Sequence, residues 1–179
     1  MLFGCTDNTS DCLLSAGNTI SKTIVLNDFS KVIFHEGIEL EIKQGTENSI
    51  QIDYGENLLK NISTTITNGV LSIDNSSCNL IRDIKPAKVV LTAITISEIR
   101  NASQFLGFSK NILRFNSLTL ISENHNTNYV NVDDFSLRIE NKNLDIISNN
   151  VSNFKITGST ESLFVGFYAG ESKFNGKKH

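Results

Sequence analysis

From Ser21 onward the chain is written in short runs in which apolar and polar residues alternate, broken by Gly, Asn and Asp. Ile38, Leu40 and Ile42 alternate with Glu39, Glu41 and Lys43. Ile50, Ile52 and Tyr54 alternate with Gln51 and Asp53, and Gln44 to Asn48 form a polar turn between the two runs. Successive side chains on a strand point to opposite faces, so each run predicts a half-buried strand. Strands this close in the chain predict hairpin-like units. Ile62 to Ile66, then Asn68-Gly69, then Val70 to Ile73 repeat the pattern. Asn68-Gly69 is the strongest turn signal in the chain, because a type I′ turn needs positive φ at both central residues. No apolar stripe at i, i+3, i+4, i+7 runs through any window of helical length, so an all-β class is expected.

The C-terminal half adds a self-match at an offset of about 19 residues. Leu118-Thr119-Leu120, Leu137-Arg138-Ile139 and Ile156-Thr157-Gly158 align at that offset, as do Leu144-Asp145-Ile146 and Leu163-Phe164-Val165. Turn-forming residues align as well: Ser122, Asn141 and Thr160; Asn124, Asn143 and Ser162; Asn131 and Asn150. Apolar positions that stack on apolar positions are what a parallel β-solenoid requires, since each coil buries its inward side chains only against its neighbours. Coils of about 19–20 residues are therefore expected, with asparagines bonding from coil to coil at the corners; a β-sandwich is the alternative. Ile and Asn each make up about an eighth of the chain, which agrees with many strands and many turns.

Charge narrows the function classes. With 16 Lys+Arg against 19 Asp+Glu and no basic run, the chain lacks the positive excess by which proteins neutralise nucleic-acid phosphates. No apolar stretch approaches the ~18 residues of a membrane-spanning helix. The 179 residues are enough for a single domain with a substantial core.

The N-terminus reads as an address. Leu2-Phe3-Gly4-Cys5 looks like a bacterial lipobox, in which a small residue before the cysteine admits the signal peptidase and the thiol takes a diacylglycerol. The basic and apolar segments that precede a lipobox in a full signal are missing. A polar Thr6 to Asp11 stretch follows, so residues 1–20 are expected to be a lipobox remnant and tether that holds the domain to a membrane through Cys5. Cys12 and Cys78 remain, and in an oxidising compartment they are expected to pair. Such a bridge closes a loop of about 66 residues, worth on the order of 4 kcal/mol in the chain-entropy account.

Several segments carry a resemblance. Asn27-Asp28-Phe29-Ser30-Lys31-Val32-Ile33, Gly37-Ile38-Glu39-Leu40, Ile42-Lys43-Gln44-Gly45, Gly55-Glu56-Asn57-Leu58-Leu59 and Asn68-Gly69-Val70-Leu71-Ser72-Ile73 together resemble the head GIN domain family. Members are labelled auto-transporter adhesins and are common as Bacteroidetes lipoproteins. The resemblance is specific in order and spacing through the first half and looser beyond it. It implies a right-handed single-stranded β-helix over residues 21–179, an exported protein and no established enzymatic activity. Members usually continue for further coils, whereas this sequence ends at Phe174 to His179 as another coil would begin. An uncapped coil is an exposed row of strand edges, so the expectation is either a sequence truncated at that end or a docked partner or second copy that covers it.

Candidate chemistry is sparse. Asp133-Asp134 is the one adjacent acid pair considered for calcium, but consecutive strand residues face opposite ways, and a solvated turn before Phe135 is expected. Stacking at the 19-residue offset puts Lys142 between Glu123 and Glu161, a surface ion ladder rather than the facing carboxylates of a glycosidase. His35, His125 and His179 lack ligand-like spacing, and His125 falls at a coil corner. No metal or cofactor is expected. The stretch Phe164 to Gly170 has too many apolar residues for strict alternation, so some must face outward. Tyr129, Phe167 and Tyr168 are the candidates for contact with a sugar face.

The expected function is a non-enzymatic lipoprotein module of the cell envelope, at the outer membrane, that binds a surface polysaccharide or protein. A periplasmic structural or sensory accessory and a carbohydrate-active β-helix enzyme are the alternatives.

Overall fold

The alternating runs do become strands in the computed structural model, which describes residues 15–77, 85–122 and 134–178. The first six are β1 (Thr19–Val25), β2 (Lys31–His35), β3 (Ile38–Gln44), β4 (Ser49–Gly55), β5 (Ile62–Thr67) and β6 (Val70–Asn75), with one 3-10 turn at Leu59–Asn61. Then come β7 (Ala87–Ala93), β8 (Glu98–Ala102), β9 (Gly107–Leu113) and β10 (Ser117–Ser122). The chain ends with two long strands, β11 (Phe135–Ser148) and β12 (Asn153–Phe167), and the short β13 (Lys173–Lys177).

All thirteen share one sheet, in the order β1-β4-β7-β3-β9-β11-β10-β8-β2-β6-β5, with β12 on β11 and β13 on β12. Strand β11 folds this sheet over on itself. Its first part, Phe135 to Ile139, pairs with β9, whereas Asn143 to Ser148 pairs with β10. The sheet therefore curls into two facing stacks that close on one core. At Gly107 the Phe34 ring reaches across from the facing stack: a Cβ there would lie 3.1 Å from that ring and 3.2 Å from the ring of Phe135 on the adjoining strand. The inner face is filled by the alternate residues that the sequence pattern picks out, among them Leu40, Ile42, Ile52, Leu71 and Leu120. Burying each such side chain is worth about 1.5–3 kcal/mol.

Two expectations on pairing are corrected. The β3 and β4 runs are not a hairpin. Strand β7 lies between them, parallel to β3 and antiparallel to β4, so that Val89 faces Leu40 on one side and Ile52 on the other. Alternation fixes which face of a strand is buried, and it carries no information about which strand lies alongside. The Asn68-Gly69 hairpin does form: β5 and β6 pair antiparallel, Thr67 faces Val70, and the turn residues take φ of 51° and 75°.

The 19-residue match is present as a register between β11 and β12, which run parallel with Phe135 facing Phe154, Leu137 facing Ile156 and Leu144 facing Leu163. Its extension to Leu118 is corrected. Leu118 faces Leu144, 26 residues on, because β10 lies against the second half of β11 and not the first. Neighbouring steps are 21 residues between Glu98 and Thr119 and 20 between Asn153 and Lys173. Strands β1, β4 and β5 pair antiparallel with their neighbours, so a uniform coil does not run through the described chain.

Corner side chains hold successive strands in register. Buried Asn101 donates to the carbonyls of Phe105 and Asp134 at 3.1 and 3.2 Å and accepts from Ser103 N at 2.8 Å, so its amide is saturated. Asn143 reaches the Ser117 hydroxyl at 3.0 Å. Serines do the same inside: the Ser122 and Ser152 hydroxyls bond each other, and those of Ser148 and Ser172 lie 2.8 Å apart. A buried polar group without a partner costs about 1–3 kcal/mol, so these pairs select one register over its neighbours. Gly158 fixes the bend opposite Ile139: its φ of 127° disfavours other residues, and a Cβ would overlap the Ile139 carbonyl oxygen. Ahead of β1, the carbonyl oxygens of Ser15 and Ala16 accept from Asn57 at 3.0 and 3.2 Å.

Candidate functional site

Strand β13 covers only Asn153 to Thr157 of β12. From Gly158 to Phe167, β12 has β11 on one side and no strand on the other among the described residues. Its backbone N–H and C=O groups on that side form an open edge, able to pair with an added strand. The inward row of this segment is set by its register: Leu163, Val165 and Phe167 face Leu144, Ile146 and Ser148, whose side chains are buried. With no strand paired beyond them among the described residues, all three stay more than a third exposed.

An aromatic column ends here. The Phe135 and Phe154 rings stack at 5.5 Å and 17°, and Phe167 stacks on Phe154 at 6.1 Å and 22°. Beside it, a recess of about 190 Å³ opens between the stacks, lined by Ile139, Leu144, Ile156, Leu163 and Phe174, with Lys177 and Lys178 at its rim.

The outward row is different. Phe164 faces Asp145, Gly166 faces Ile147, and Tyr168 follows β12. A Cβ on Gly166 would lie 3.0 Å from the Phe164 ring and 3.1 Å from the Tyr168 ring, so the two rings flank the bare glycine backbone as an apolar platform. Phe164 is 50% and Tyr168 71% exposed.

Phe167 and Tyr168, adjacent in sequence, thus lie on opposite faces. Phe167 caps the interior column, and the outward partner of Tyr168 is Phe164. The signal was present in Phe164-Val165-Gly166-Phe167-Tyr168, since a strand puts its first, third and fifth residues on one face. Cys5, Cys12, Cys78 and Tyr129 lie outside the described residues.

The titratable groups tie strands together. Asp134 lies partly exposed directly ahead of β11, where its Oδ1 accepts from the backbone N and the Nδ2 of Asn153 at 2.8 and 2.9 Å, and its carbonyl oxygen accepts from Gly107 N at 3.0 Å. Glu98 lies 3.0 Å from Lys31 and 3.8 Å from Arg100, Glu140 lies 2.9 Å from Arg114, and His35 Nε2 lies 3.5 Å from Asp74. Asp133, Glu123, His125 and His179 lie outside the described residues. Among the described residues no three His, Cys, Asp or Glu side chains gather closely enough to hold a metal ion, and no helix is long and apolar enough to cross a membrane.

A family model described as "Putative auto-transporter adhesin, head GIN domain" matches residues 28–179. Among solved structures, the chain is similar to a "putative adhesin" from Parabacteroides merdae at 13% identity, covering 91% of this chain and 98% of that one with a TM-score of 0.52. It is similar to another from Bacteroides fragilis at 13% identity, covering 90% and 97% with a TM-score of 0.53. It is also similar to a "putative cell adhesion protein" from Clostridium sporogenes at 14% identity, covering 90% and 100% with a TM-score of 0.52. At such identities the likeness is one of fold. No curated protein matches the chain.

Proposed function

We propose that this chain, which belongs to the head GIN domain family, is a non-enzymatic module of the cell envelope that binds a surface glycan or protein in the manner of an adhesin. The observation that carries this reading is the exposed platform of Phe164 and Tyr168 on either side of Gly166. A sugar ring presents a face of C–H groups, and flat exposed aromatic rings on a rigid strand are suited to receive it with little loss of side-chain freedom. Catalysis is no part of the proposal, since the carboxylates of Glu98, Asp134 and Glu140 are each committed to a cation or an amide.

Within the same proposal, Cys5 carries the lipid anchor, residues 1–20 are the tether, and Cys12 pairs with Cys78. In the parallel part of the sheet each turn of a β-helix adds one strand to each of the two stacks, right-handed by the rule that governs parallel crossovers.

The test is a glycan-binding screen of the parent and of the Phe164→Ser/Tyr168→Ser double variant, with circular dichroism to check that both fold. Loss of binding in the variant is expected, and equal binding refutes the platform. Protease shaving of intact cells, followed by immunoblot against a periplasmic control, tests the address. Survival of the domain alongside the control would remove the support for adhesion and favour a periplasmic accessory. That second reading is favoured by the open β12 edge and the apolar recess beside it, where a partner protein or a second copy would dock. For the cysteines, intact mass with and without reductant should differ by two hydrogens; no difference refutes the bridge.

A further inference from the structure

Strand β9 carries a distortion that its neighbours do not require. Phe108 faces Ser136 and Ile112 faces Arg138, so four steps along β9 span two along β11. The surplus residues bulge out, and bulges of this kind re-aim side chains at the surface. The bulge is braced from below: the Ser109 hydroxyl accepts from Arg138 N at 2.9 Å, and the Lys110 carbonyl accepts from Arg138 Nη1 at 3.2 Å. Lys110 is aimed by charge. Its Nζ lies 2.6 Å from Glu41 Oε2 and 5.6 Å from the Phe108 ring centre, while Glu41 is almost fully buried and its Oε1 lies 3.5 Å from Lys43.

This bulge forms one wall of a surface recess of about 490 Å³ lined by Gln44, Lys110, Asn111, Ile112, Arg114 and Arg138. Three cations line it and no carboxylate does, in a chain whose net charge is −3. Arg114 is oriented by Glu140, which takes its Nε at 2.9 Å; its two terminal nitrogens have no hydrogen-bond partner among the described residues. The Asn111 side-chain amide has none either. Beyond Arg114 a second recess of about 460 Å³ continues along the corner, where the amides and hydroxyls of Asn116, Asn141, Ser159 and Thr160 are interleaved with Lys142 and the carboxylates of Glu140 and Glu161.

From this arrangement we infer that the β9 bulge and the corner beside it form a binding groove for an acidic polysaccharide whose sugars carry carboxylates. The free edge of the Arg114 guanidinium is a planar fork that matches a carboxylate with two parallel hydrogen bonds. Asn111 and the amide and hydroxyl row beyond it match the hydroxyls of the flanking sugars. The recess lacks a deep apolar pocket such as a peptide side chain would fill. The inference rests on the adhesin-like reading and names the ligand class and the site for it, apart from the Phe164 and Tyr168 platform.

The test is isothermal titration of the parent and of the Arg114→Gln/Asn111→Ala variant with oligogalacturonate, dextran sulfate and neutral dextran, at low and high salt. Both altered side chains are exposed, so the thermal midpoint should not move. Oligogalacturonate should bind the parent, bind the variant at least about tenfold more weakly, and lose affinity as salt rises. Dextran sulfate binding as tightly as oligogalacturonate would overturn the choice of carboxylate. Failure of the parent to bind oligogalacturonate, or equal binding by the variant, would overturn the groove. Neutral-glycan binding that depends on Phe164 and Tyr168 would then leave the adhesin-like reading standing alone.

Discussion

The aromatic column makes a graded prediction about stability, because its three rings share one chemistry and differ in what surrounds them. Phe154 is buried and has a stacked ring on each side, at 5.5 and 6.1 Å. Its replacement by Ala removes both contacts and leaves a cavity between the stacks, a change that costs about 3–5 kcal/mol in well-packed cores. Phe167 keeps 39% of its surface exposed and has one stacked neighbour. Scaling the same cost by the fraction buried, Phe167→Ala should lose about 2 kcal/mol. Equilibrium urea unfolding reads both. At an m-value of about 2 kcal/mol/M, the midpoint should fall by about 2 M for Phe154→Ala and about 1 M for Phe167→Ala. Phe154→Leu keeps most of the buried area and loses the stacking, so it should cost about 1.5 kcal/mol or less. Equal shifts for the two Ala variants, or a Phe154→Ala cost below about 1.5 kcal/mol, would refute the column as the organiser of this end of the core.

Gly158→Ala should be among the most damaging single substitutions: it puts a methyl group onto the Ile139 carbonyl at a φ of 127°, and loss of more than about 3 kcal/mol is expected by the same unfolding assay. Gly69→Ala is the control, since its φ of 75° is also positive but the nearest atom to a new Cβ is 3.8 Å away; a cost of about 1 kcal/mol is expected, and a larger one than for Gly158 would sink the argument. Asp53 gives a pH dependence. The Ser21 hydroxyl first, then the Gln51 amide and the nearby Lys88 charge, hold its carboxyl below the ordinary carboxylate range against a smaller opposing effect of burial. A carboxyl depressed in the folded state stabilises fully above its unfolded value of about 3.9 and loses that contribution as pH falls through the lower folded value. Asp53→Asn should therefore flatten the acid limb of thermal midpoint against pH below about 4, and an unchanged limb would show that the Ser21 and Gln51 bonds are not felt.

What the sequence discloses and what it hides divide along a physical line. Local chemistry is legible: Asn68-Gly69 forms its hairpin because the positive φ values are a property of those two residues. The 19-residue register of β11 and β12 is legible because identical spacing stacks like on like. Partner choice is not: β3 and β4 alternate as hairpin strands do, yet β7 inserts between them from more than 30 residues away. The asparagine corners follow from composition, whereas the serine pairs at Ser122 and Ser152 are hidden, since serine is common in any turn. Tyr168 shares its face with Phe164 and not with its sequence neighbour Phe167, because the two-residue period of a strand outranks adjacency. The β9 bulge leaves no trace in Ser109-Lys110-Asn111, because it arises from a mismatch with a strand whose paired residues lie 26 to 28 positions further on.

The register of β12 on β11 bears on how such a chain gains height over evolutionary time. Because Phe135, Leu137 and Leu144 recur as Phe154, Ile156 and Leu163, a tandem copy of one such segment would meet the same inner and outer faces on both sides. Each copy would raise the molecule by one strand spacing, about 4.8 Å, and would carry the open edge outward unchanged. Length is then a quantity that in-frame duplication can adjust in small equal steps, without redesign of the core beneath or of the surface that the edge presents.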